Sequence, residues 1–317
     1  MASALAMLAV CVAVRWGHAP IRRMSATVRG ITSKNLHVRL DRKAVPRELS
    51  TLVASFNEML DQLQTSFDRL TQFSADIAHE LRTPVTNLMT QAQVALSKDR
   101  PAASYRDVLY SSLDELDRLR KMISEMLFMA QTENPTRQFE KVKVQLDDEI
   151  RGVFEYFEAL SDEAGIELRL EQAPGSAVNV YGDRDMLQRA ISNLLSNALR
   201  HTTRGETIVI RLVNEDGSVC VEVCNPGPAI EATHLPHLFE RFYRVDPARN
   251  RDGEGTGLGL AIVKAIAKVH GGSVGVHCDG GLNRFWMCLP VTQVLPGAKL
   301  IAGRADREPT DTAKAPD

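Results

Sequence analysis

Phe73-Ser-Ala-Asp-Ile-Ala-His79-Glu80-Leu-Arg-Thr83-Pro84 is the most informative segment of the first half of the chain, because it places a histidine beside a carboxylate within a periodic apolar pattern. Its apolar residues recur in steps of three or four, which predicts an amphipathic helix. At about 100° per residue, His79 falls roughly opposite the apolar seam, Thr83 follows one turn later on the same face, and Glu80 lies at the flank. The seam consists of Ile77, Leu81, Pro84, Leu88 and Ala95. A water-facing imidazole beside a carboxylate is a nucleophile, a base, a metal ligand or an ordinary surface histidine.

Three further motifs follow in the second half of the chain. They are Asn193-Leu-Leu-Ser-Asn197-Ala, Leu238-Phe239-Glu-Arg-Phe242-Tyr-Arg244 and Gly253-Glu-Gly255-Thr-Gly257-Leu-Gly259-Leu-Ala. With the His79 motif they resemble, in order, the phosphoacceptor, N, F and G2 boxes of the two-component sensor histidine kinases. The sequence between the boxes is most similar to that of the heavy-metal (copper/silver type) members. The resemblance covers residues 1 to 292.

The resemblance implies a specific activity. ATP and Mg²⁺ would phosphorylate His79, and the phosphoryl group would pass to an aspartate of a response regulator. Glu80 would act as the base or orient the imidazole, and Thr83 would position water for dephosphorylation of the regulator. The implied fold is multidomain, with α-helical signal-relay and dimerisation parts followed by an α+β sandwich of the histidine kinase/gyrase/Hsp90 type. A second seam on the following helix consists of Leu109, Leu116, Leu119, Ile123, Met126 and Ala130. Two such seams on one hairpin also favour a four-helix bundle in a homodimer.

Composition limits the alternatives. The chain has 317 residues, a formal net charge of −2 and no basic run, so direct nucleic-acid binding is not expected. The five cysteines are scattered, and the only close pair, Cys220 and Cys224, lacks a matching second pair. We expect buried, reduced thiols there and no metal site.

The N-terminus predicts a membrane attachment. Residues 1–14 are almost entirely apolar, yet shorter than the ~20 residues that cross a bilayer. Arg15, Arg22 and Arg23 follow, as at the cytoplasmic end of a membrane helix. We interpret 1–16 as part of a transmembrane helix at the bacterial inner membrane, with the bulk of the chain cytoplasmic; a soluble core helix is the alternative. The resemblance implies a preceding periplasmic sensor region, which this sequence lacks.

The remaining chain divides into four predicted segments. Residues 17–69 read as helix, connector, helix, which resembles a HAMP relay module, although a plain coiled-coil linker has the same pattern. Residues 70–134 form the dimerisation and phosphotransfer hairpin, 139–292 the ATP-binding domain, and 293–317 a polar tail predicted to be disordered.

The first nucleotide-binding candidates share one helix face. Leu187, Ala190, Ile191, Leu194 and Ala198 predict a buried stripe. The opposite face then carries Asn193, Asn197, Arg200 and His201. Neutral amide oxygens suit Mg²⁺, and the resemblance assigns the metal to Asn197, with Asn193 in support. Arg200 is suited to neutralise phosphate charge, although a solvated helix face would show the same pattern.

The glycine-rich segment predicts a phosphate cradle. Gly255, Gly257 and Gly259 precede an apolar helix, so bare backbone can approach an anion at the helix N-terminus. The segment matches neither the dinucleotide-binding nor the P-loop pattern. By resemblance, Phe239, Phe242 and Arg244 belong to the nucleotide site, and the arginine-containing segment between 245 and 253 is the ATP lid.

The chain departs from the family at the G1 box. Where the family has Asp-x-Gly-x-Gly, this sequence has Asn225-Pro226-Gly227-Pro228-Ala229. Asn225 can accept a hydrogen bond from the adenine amine without an anion's added strength, so Asn225→Asp should tighten ATP binding unless neighbouring groups accommodate the amide.

Two other functions remain open on the sequence. A kinase-impaired scaffold or phosphatase acting on the response regulator would explain Asn225. A gyrase/Hsp90-type ATPase would explain the nucleotide boxes but leaves the His79 helix without a role.

Overall fold

The computed structural model forms two compact units, Met1–Leu119 and Arg120–Asp317. It describes residues 3–4, 6–7, 21–22, 24–32, 35–41, 45–134, 139–172, 179–215, 217–245 and 255–291. The expected membrane-helix remnant at 1–16 lies almost entirely outside these residues, as do the expected ATP lid between 245 and 253 and the tail from 293. Within the described ranges, every helix is too short or too polar to cross a bilayer.

The first unit pairs a connector with a long helix. After a helical segment at 24–30, residues 35–41 run beside helix α1, Ser50–Leu96. The Asn57 amide accepts from the Leu40 N–H at 2.9 Å and donates to the Leu40 carbonyl at 3.0 Å, while Arg39 pairs with Asp61 at 2.6 Å. These bonds satisfy connector backbone that has no strand partner.

Helix α1 is continuous through the junction predicted at 69/70, so the two segments predicted on either side of it share one 47-residue helix. Pro84 lies inside it, buried in the predicted seam. Because proline has no N–H, it cannot donate to the carbonyl of Glu80 four residues earlier. His79 and Thr83 are exposed, as their phase in the helix predicts.

Helix α2, Ala102–Thr132, completes the hairpin and is divided between the two units after Leu119. Its predicted apolar seam is mostly exposed in the single chain: Leu109 is 64% exposed and Leu116 51%. The buried stripe lies at the other end of the helix. It consists of Met122, Glu125, Met126, Met129 and Thr132.

The second unit is built on a five-stranded mixed sheet, as the predicted α+β class requires. In spatial order its strands are β2 (Glu167–Gln172), β4 (Thr207–Glu215), β5 (Ser218–Pro226), β7 (Leu282–Pro290) and β6 (Ser273–Asp279). Of the neighbouring pairs in this sheet, only β2 and β4 run parallel. Two further strands, β1 (Val142–Gln145) and β3 (Asn179–Gly182), pair antiparallel with each other.

Three helices accompany the sheet: α3 (Leu146–Ala164), α4 (Arg184–His201) and α5 (Gly259–Val269). Asp183 caps α4 by accepting from the Met186 N–H at 3.1 Å. Buried Glu149 joins α3 to α4, because it pairs with Arg184 at 2.7 Å and accepts from Gln188 at 2.6 Å. The predicted α4 stripe is confirmed. Leu187, Ala190, Ile191, Leu194 and Ala198 are each at most 1% exposed.

One cysteine prediction is wrong. Cys220 and Cys288 face each other in register across β5 and β7, and the structure joins them in a disulfide. Sequence spacing gave no sign of this pairing because the two residues are 68 positions apart. Cys224 is a buried free thiol, as expected.

Buried His270 ties the end of α5 to the start of α4. Its Nδ1 donates to the Ile266 carbonyl (2.8 Å), and Nε2 accepts from the Asp183 N–H (3.0 Å), so the ring is neutral. Burial lowers the pKa of His270; Lys141 acts in the same direction, against the Ile266 carbonyl and Asp183.

We therefore expect the second unit to lose stability in mild acid. The neutral ring stabilises the fold above the unfolded-state pKa of about 6.5, and this contribution is lost as the pH falls through the lower folded-state pKa. Chemical denaturation from pH 7.5 to 5 should show a decreasing free energy of unfolding. His270→Gln should be less stable at pH 7.5 but less sensitive to acid, whereas exposed His277→Gln should match the parent. Equal acid sensitivity in all three proteins would contradict the assignment.

Candidate nucleotide-binding site

A cavity of about 370 Å³ lies within the second unit, beside α4, the start of α5 and the ends of β5 and β7. Nine of the residues predicted from the sequence line it. These are Asn193, Asn197, Arg200, His201, Asn225, Arg244, Gly255, Gly257 and Gly259. The structure therefore brings residues from four separate motifs to one place.

Helix α4 supplies the polar wall because its apolar stripe is buried on the opposite face. The Asn193 Nδ2 atom is buried and has no hydrogen-bond partner. A Cβ built on Gly259 would lie 3.7 Å from Asn193 Oδ1, and one on Gly255 would lie 3.0 Å from Arg200 Nη1. The glycines thus allow the backbone to approach these side chains closely.

The F and G2 motifs are clamped through their backbones. The Phe242 N–H donates to the Gly257 carbonyl at 2.9 Å. Gly257 has φ +69°, and an added Cβ would lie 2.8 Å from the Phe242 Cα, so the position requires glycine. Phe242 itself has φ 61°. Phe242 is not among the residues that line the cavity.

Two other predicted residues support the cavity from behind. Phe239 is buried and packs edge-on against Phe285, which does line the cavity, with ring centroids 6.5 Å apart. Gly227 donates its N–H to the Gly281 carbonyl at 3.0 Å. A Cβ on Gly227 would lie 3.1 Å from Asn283 Nδ2, so a side chain there would press on the cavity wall.

Among the described residues that line the cavity, four buried polar side-chain atoms lack a hydrogen-bond partner, and they are of two kinds. Asn193 Nδ2 and Arg244 Nη2 are buried donors, whereas Asn225 Oδ1 and Asn283 Oδ1 are buried acceptors. Such groups are costly to leave unpaired and indicate a ligand that completes them. Partial desolvation lowers the pKa of His201, and the adjacent Arg200 charge acts in the same direction.

These features fit a nucleoside triphosphate. The donors and the bare backbone at the start of α5 match phosphate oxygens, and the acceptors match an amino-bearing base, for which the lining residues Phe285 and Ile230 offer apolar contacts.

Six polar lining residues were not predicted from the sequence: Lys121, Glu125, Ser196, Tyr243, Thr256 and Asn283. Asn283 enters through the pairing of β5 with β7, and Lys121 and Glu125 through the packing of the last turns of α2. None of these arrangements leaves a local sequence signal. Thr256, between two predicted glycines, could have been inferred from its position alone.

The end of α2 is bonded directly to the site. Buried Glu125 accepts from the Thr256 hydroxyl at 2.5 Å. Beside it, the Arg189 guanidinium lies 4.0 Å from the centroid of the Phe128 ring. Because Thr256 lies in the glycine-rich segment, this contact puts a carboxylate beside the backbone that the sequence predicts to cradle phosphate.

Comparison with known families identifies the class. Residues 182–293 match the family of histidine kinase-, DNA gyrase B- and HSP90-like ATPases, residues 69–135 match the His Kinase A (phospho-acceptor) domain, and residues 12–65 match the HAMP domain. The chain belongs to the two-component sensor histidine kinases.

Among curated proteins, the chain is similar to heavy-metal sensor kinases. It is 53% identical over 288 residues to sensor histidine kinase CusS of Escherichia coli strain K12, covering 91% of this chain and 59% of CusS. It is 45% identical to the probable sensor kinase SilS of Salmonella typhimurium, covering 91% and 58%. The chain thus spans about three-fifths of the length of these relatives.

Solved structures support the same fold. Histidine kinase ThkA in complex with the response regulator protein TrrA matches with a TM-score of 0.58 and 25% identity, over 71% of this chain and 64% of that one. Acinetobacter baumannii histidine kinase AdeS matches with a TM-score of 0.54 and 22% identity, over 67% and 98%, a likeness of fold alone.

Glu125→Gln should tighten nucleotide binding. Glutamine can still accept from Thr256 but removes the negative charge that opposes a phosphate group. We expect calorimetric titration with a non-hydrolysable ATP analogue to show about three- to tenfold higher affinity, the equivalent of ~1 kcal/mol. Glu115→Gln, on the same helix but outside the cavity, should bind as the parent does. Unchanged or weaker binding by Glu125→Gln would show that the carboxylate does not oppose the nucleotide.

Proposed function

We propose that this chain phosphorylates His79 with ATP and transfers the phosphoryl group to an aspartate of a response regulator. The observation that carries the proposal is the cavity of the ATPase-family domain, which is lined by unpaired donors, bare backbone, unpaired acceptors and apolar side chains. The exposed His79 on a helix that matches the phospho-acceptor domain supplies the nucleophile.

The donor set suggests how the nucleotide is held. Asn197 would bind Mg²⁺ and Asn193 would support the metal and phosphates, since amide oxygens are hard neutral ligands. Arg200, Arg244 and the α5 N-terminus would balance phosphate charge, with Gly255, Gly257 and Gly259 giving the backbone access. The remaining proposed residues complete the pocket. His201 and Asn225 line the cavity, and Gly227, Phe239 and Phe242 support its wall from behind.

The chemistry follows from the exposed imidazole. A neutral ring nitrogen of His79 attacks the terminal phosphorus in line with the oxygen bridging to the β-phosphate. The new P–N bond replaces that P–O bond, and ADP leaves. Glu80 takes the ring N–H proton or orients the imidazole. Thr83, one turn further on the same exposed face, would position water for dephosphorylation of the regulator.

The partners are part of the proposal. The complex of ThkA with its response regulator supports a regulator partner for this chain. Exposed apolar residues along the hairpin, such as Leu109, Leu113 and Leu116, support a homodimer that buries them in a four-helix bundle.

The apolar N-terminus and its arginines support an inner-membrane attachment. Similarity to CusS and SilS supports a copper or silver response.

The proposed domain limits are 17–69, 70–134 and 139–292.

The alternative function, a kinase-impaired scaffold or phosphatase, rests on Asn225 in place of the family's aspartate. It is separated from the kinase by whether a phosphoenzyme forms.

His79→Gln should abolish autophosphorylation while nucleotide binding persists, because His79 belongs to the first unit and the cavity to the second. Incubation with γ-phosphate-labelled ATP should give an acid-labile, base-stable phosphoenzyme in the parent and in exposed His277→Gln, and none in His79→Gln. Labelling that persists in His79→Gln would refute the assignment. No labelling of the parent would favour the scaffold.

Thr83→Ala should separate two activities. The hydroxyl is proposed to orient water and not the imidazole, so labelling of His79 should remain near the parental rate. Dephosphorylation of the regulator should slow by about tenfold or more, a typical effect of losing an orienting group. Thr86→Ala, one turn further along, is a matched control that should leave both rates unchanged. Equal loss of both activities in Thr83→Ala would indicate helix damage instead.

A further inference from the structure

The cavity contains a pair of amides on neighbouring strands. Asn225 near the end of β5 and Asn283 near the start of β7 are direct partners in the antiparallel register. Asn225 is 1% exposed and Asn283 is 4% exposed. Both line the cavity, so they are buried from solvent yet adjacent to space that a ligand can fill.

Each amide is held in one orientation by a prolyl carbonyl. Asn225 Nδ2 donates to the Pro226 carbonyl at 3.1 Å, and Asn283 Nδ2 donates to the Pro228 carbonyl at 3.2 Å. Flipping either amide would place its oxygen against a carbonyl oxygen, exchanging a hydrogen bond for a repulsion. The Oδ1 atoms are therefore the groups left for a ligand, and both lack a partner.

Two adjacent acceptors select a particular chemistry. The exocyclic amine of adenine carries two N–H donors, whereas a 6-oxopurine such as hypoxanthine or guanine presents an oxygen at the same position. A site built to accept hydrogen bonds rejects a ligand that leaves its buried acceptors unpaired. Phe285 and Ile230, which also line the cavity, offer apolar contacts for the base.

We propose that Asn283 is a second base-reading residue, and that Asn225 and Asn283 together form a neutral double acceptor for the adenine amine. The carbonyls of Pro226 and Pro228 fix both amides and so give the site its preference for adenine over 6-oxopurines. This inference rests on the nucleotide site of the proposed function and identifies what that site reads.

The same geometry reverses an expectation drawn from the sequence. An aspartate at position 225 would replace the Nδ2 donor with an oxygen about 3.1 Å from the Pro226 carbonyl oxygen. The amide is thus accommodated by its neighbour, and Asn225→Asp should weaken ADP binding, not strengthen it. A protein that bound ADP more tightly with aspartate there would contradict the fixed-amide arrangement.

The test compares two nucleotides that differ at the 6-position of the base. ADP and inosine 5′-diphosphate, each with Mg²⁺, are titrated calorimetrically into the parent, Asn283→Leu and Asn283→Ser. Leucine is close in volume but apolar, and serine is polar but too short to replace the amide. Asn214→Leu, in β4 outside the cavity, is the matched control.

We expect the parent and Asn214→Leu to prefer ADP by at least about tenfold. Both Asn283 variants should bind ADP about three- to tenfold more weakly, the effect of losing one net hydrogen bond, with little change for inosine diphosphate. The preference for ADP therefore falls. If Asn283→Leu does not fold, the proposal is still tested by Asn283→Ser and by the ratio of the parent's affinities for ADP and inosine diphosphate.

Equal loss of both nucleotides in the Asn283 variants would assign Asn283 a structural role and overturn the proposal. So would a parent that binds the two nucleotides equally. Because binding is measured without phosphorylation, an intact ADP preference with no labelling of His79 would refute only the proposed kinase activity. A parent that binds neither nucleotide would refute both.

Discussion

The rotation of helix α4 is the constraint on which the site depends. Its stripe of large apolar residues can be buried in only one orientation about the helix axis. That orientation presents Asn193, Asn197 and Arg200 to the cavity. The two ends of the helix are fixed independently, since Asp183 caps the N-terminus and the Thr202 hydroxyl donates to the Ala198 carbonyl at the C-terminus. The polar wall is therefore a consequence of core packing.

The cavity is electrostatically uneven. At the end of the cavity where the base is proposed to bind, Asn225 and Asn283 are uncharged, so burying them avoids the large desolvation penalty of a carboxylate. At the glycine-rich end, Glu125 is a carboxylate that approaches from α2 and bonds to Thr256. In the proposed nucleotide complex, the affinity would therefore depend on a neutral reader of the base and on an opposing charge near the phosphates.

The sequence predicted what periodicity and local motifs encode. The exposed face of His79, the buried stripe of α4 and the close approach of Gly255 and Gly259 to polar side chains all follow from helix phase or from glycine's missing side chain. The contributions of Glu125 and Asn283 arise from tertiary pairing across 131 and 58 positions, respectively, for which a single sequence has no periodic signal. The Cys220–Cys288 bridge was missed for the same reason.

Pro84 gives the long helix α1 a mechanical property. A 47-residue helix with an unbroken hydrogen-bond ladder bends as one gently curved rod, whereas an interior proline removes one rung and lets the rod flex at that point. The missing rung spans Glu80 to Pro84, the turn that follows His79 directly and contains Thr83. Bending or twisting of the upstream segment is therefore concentrated where the proposed phosphoryl acceptor sits. Such a bend would re-aim the imidazole while the segments on either side stay helical.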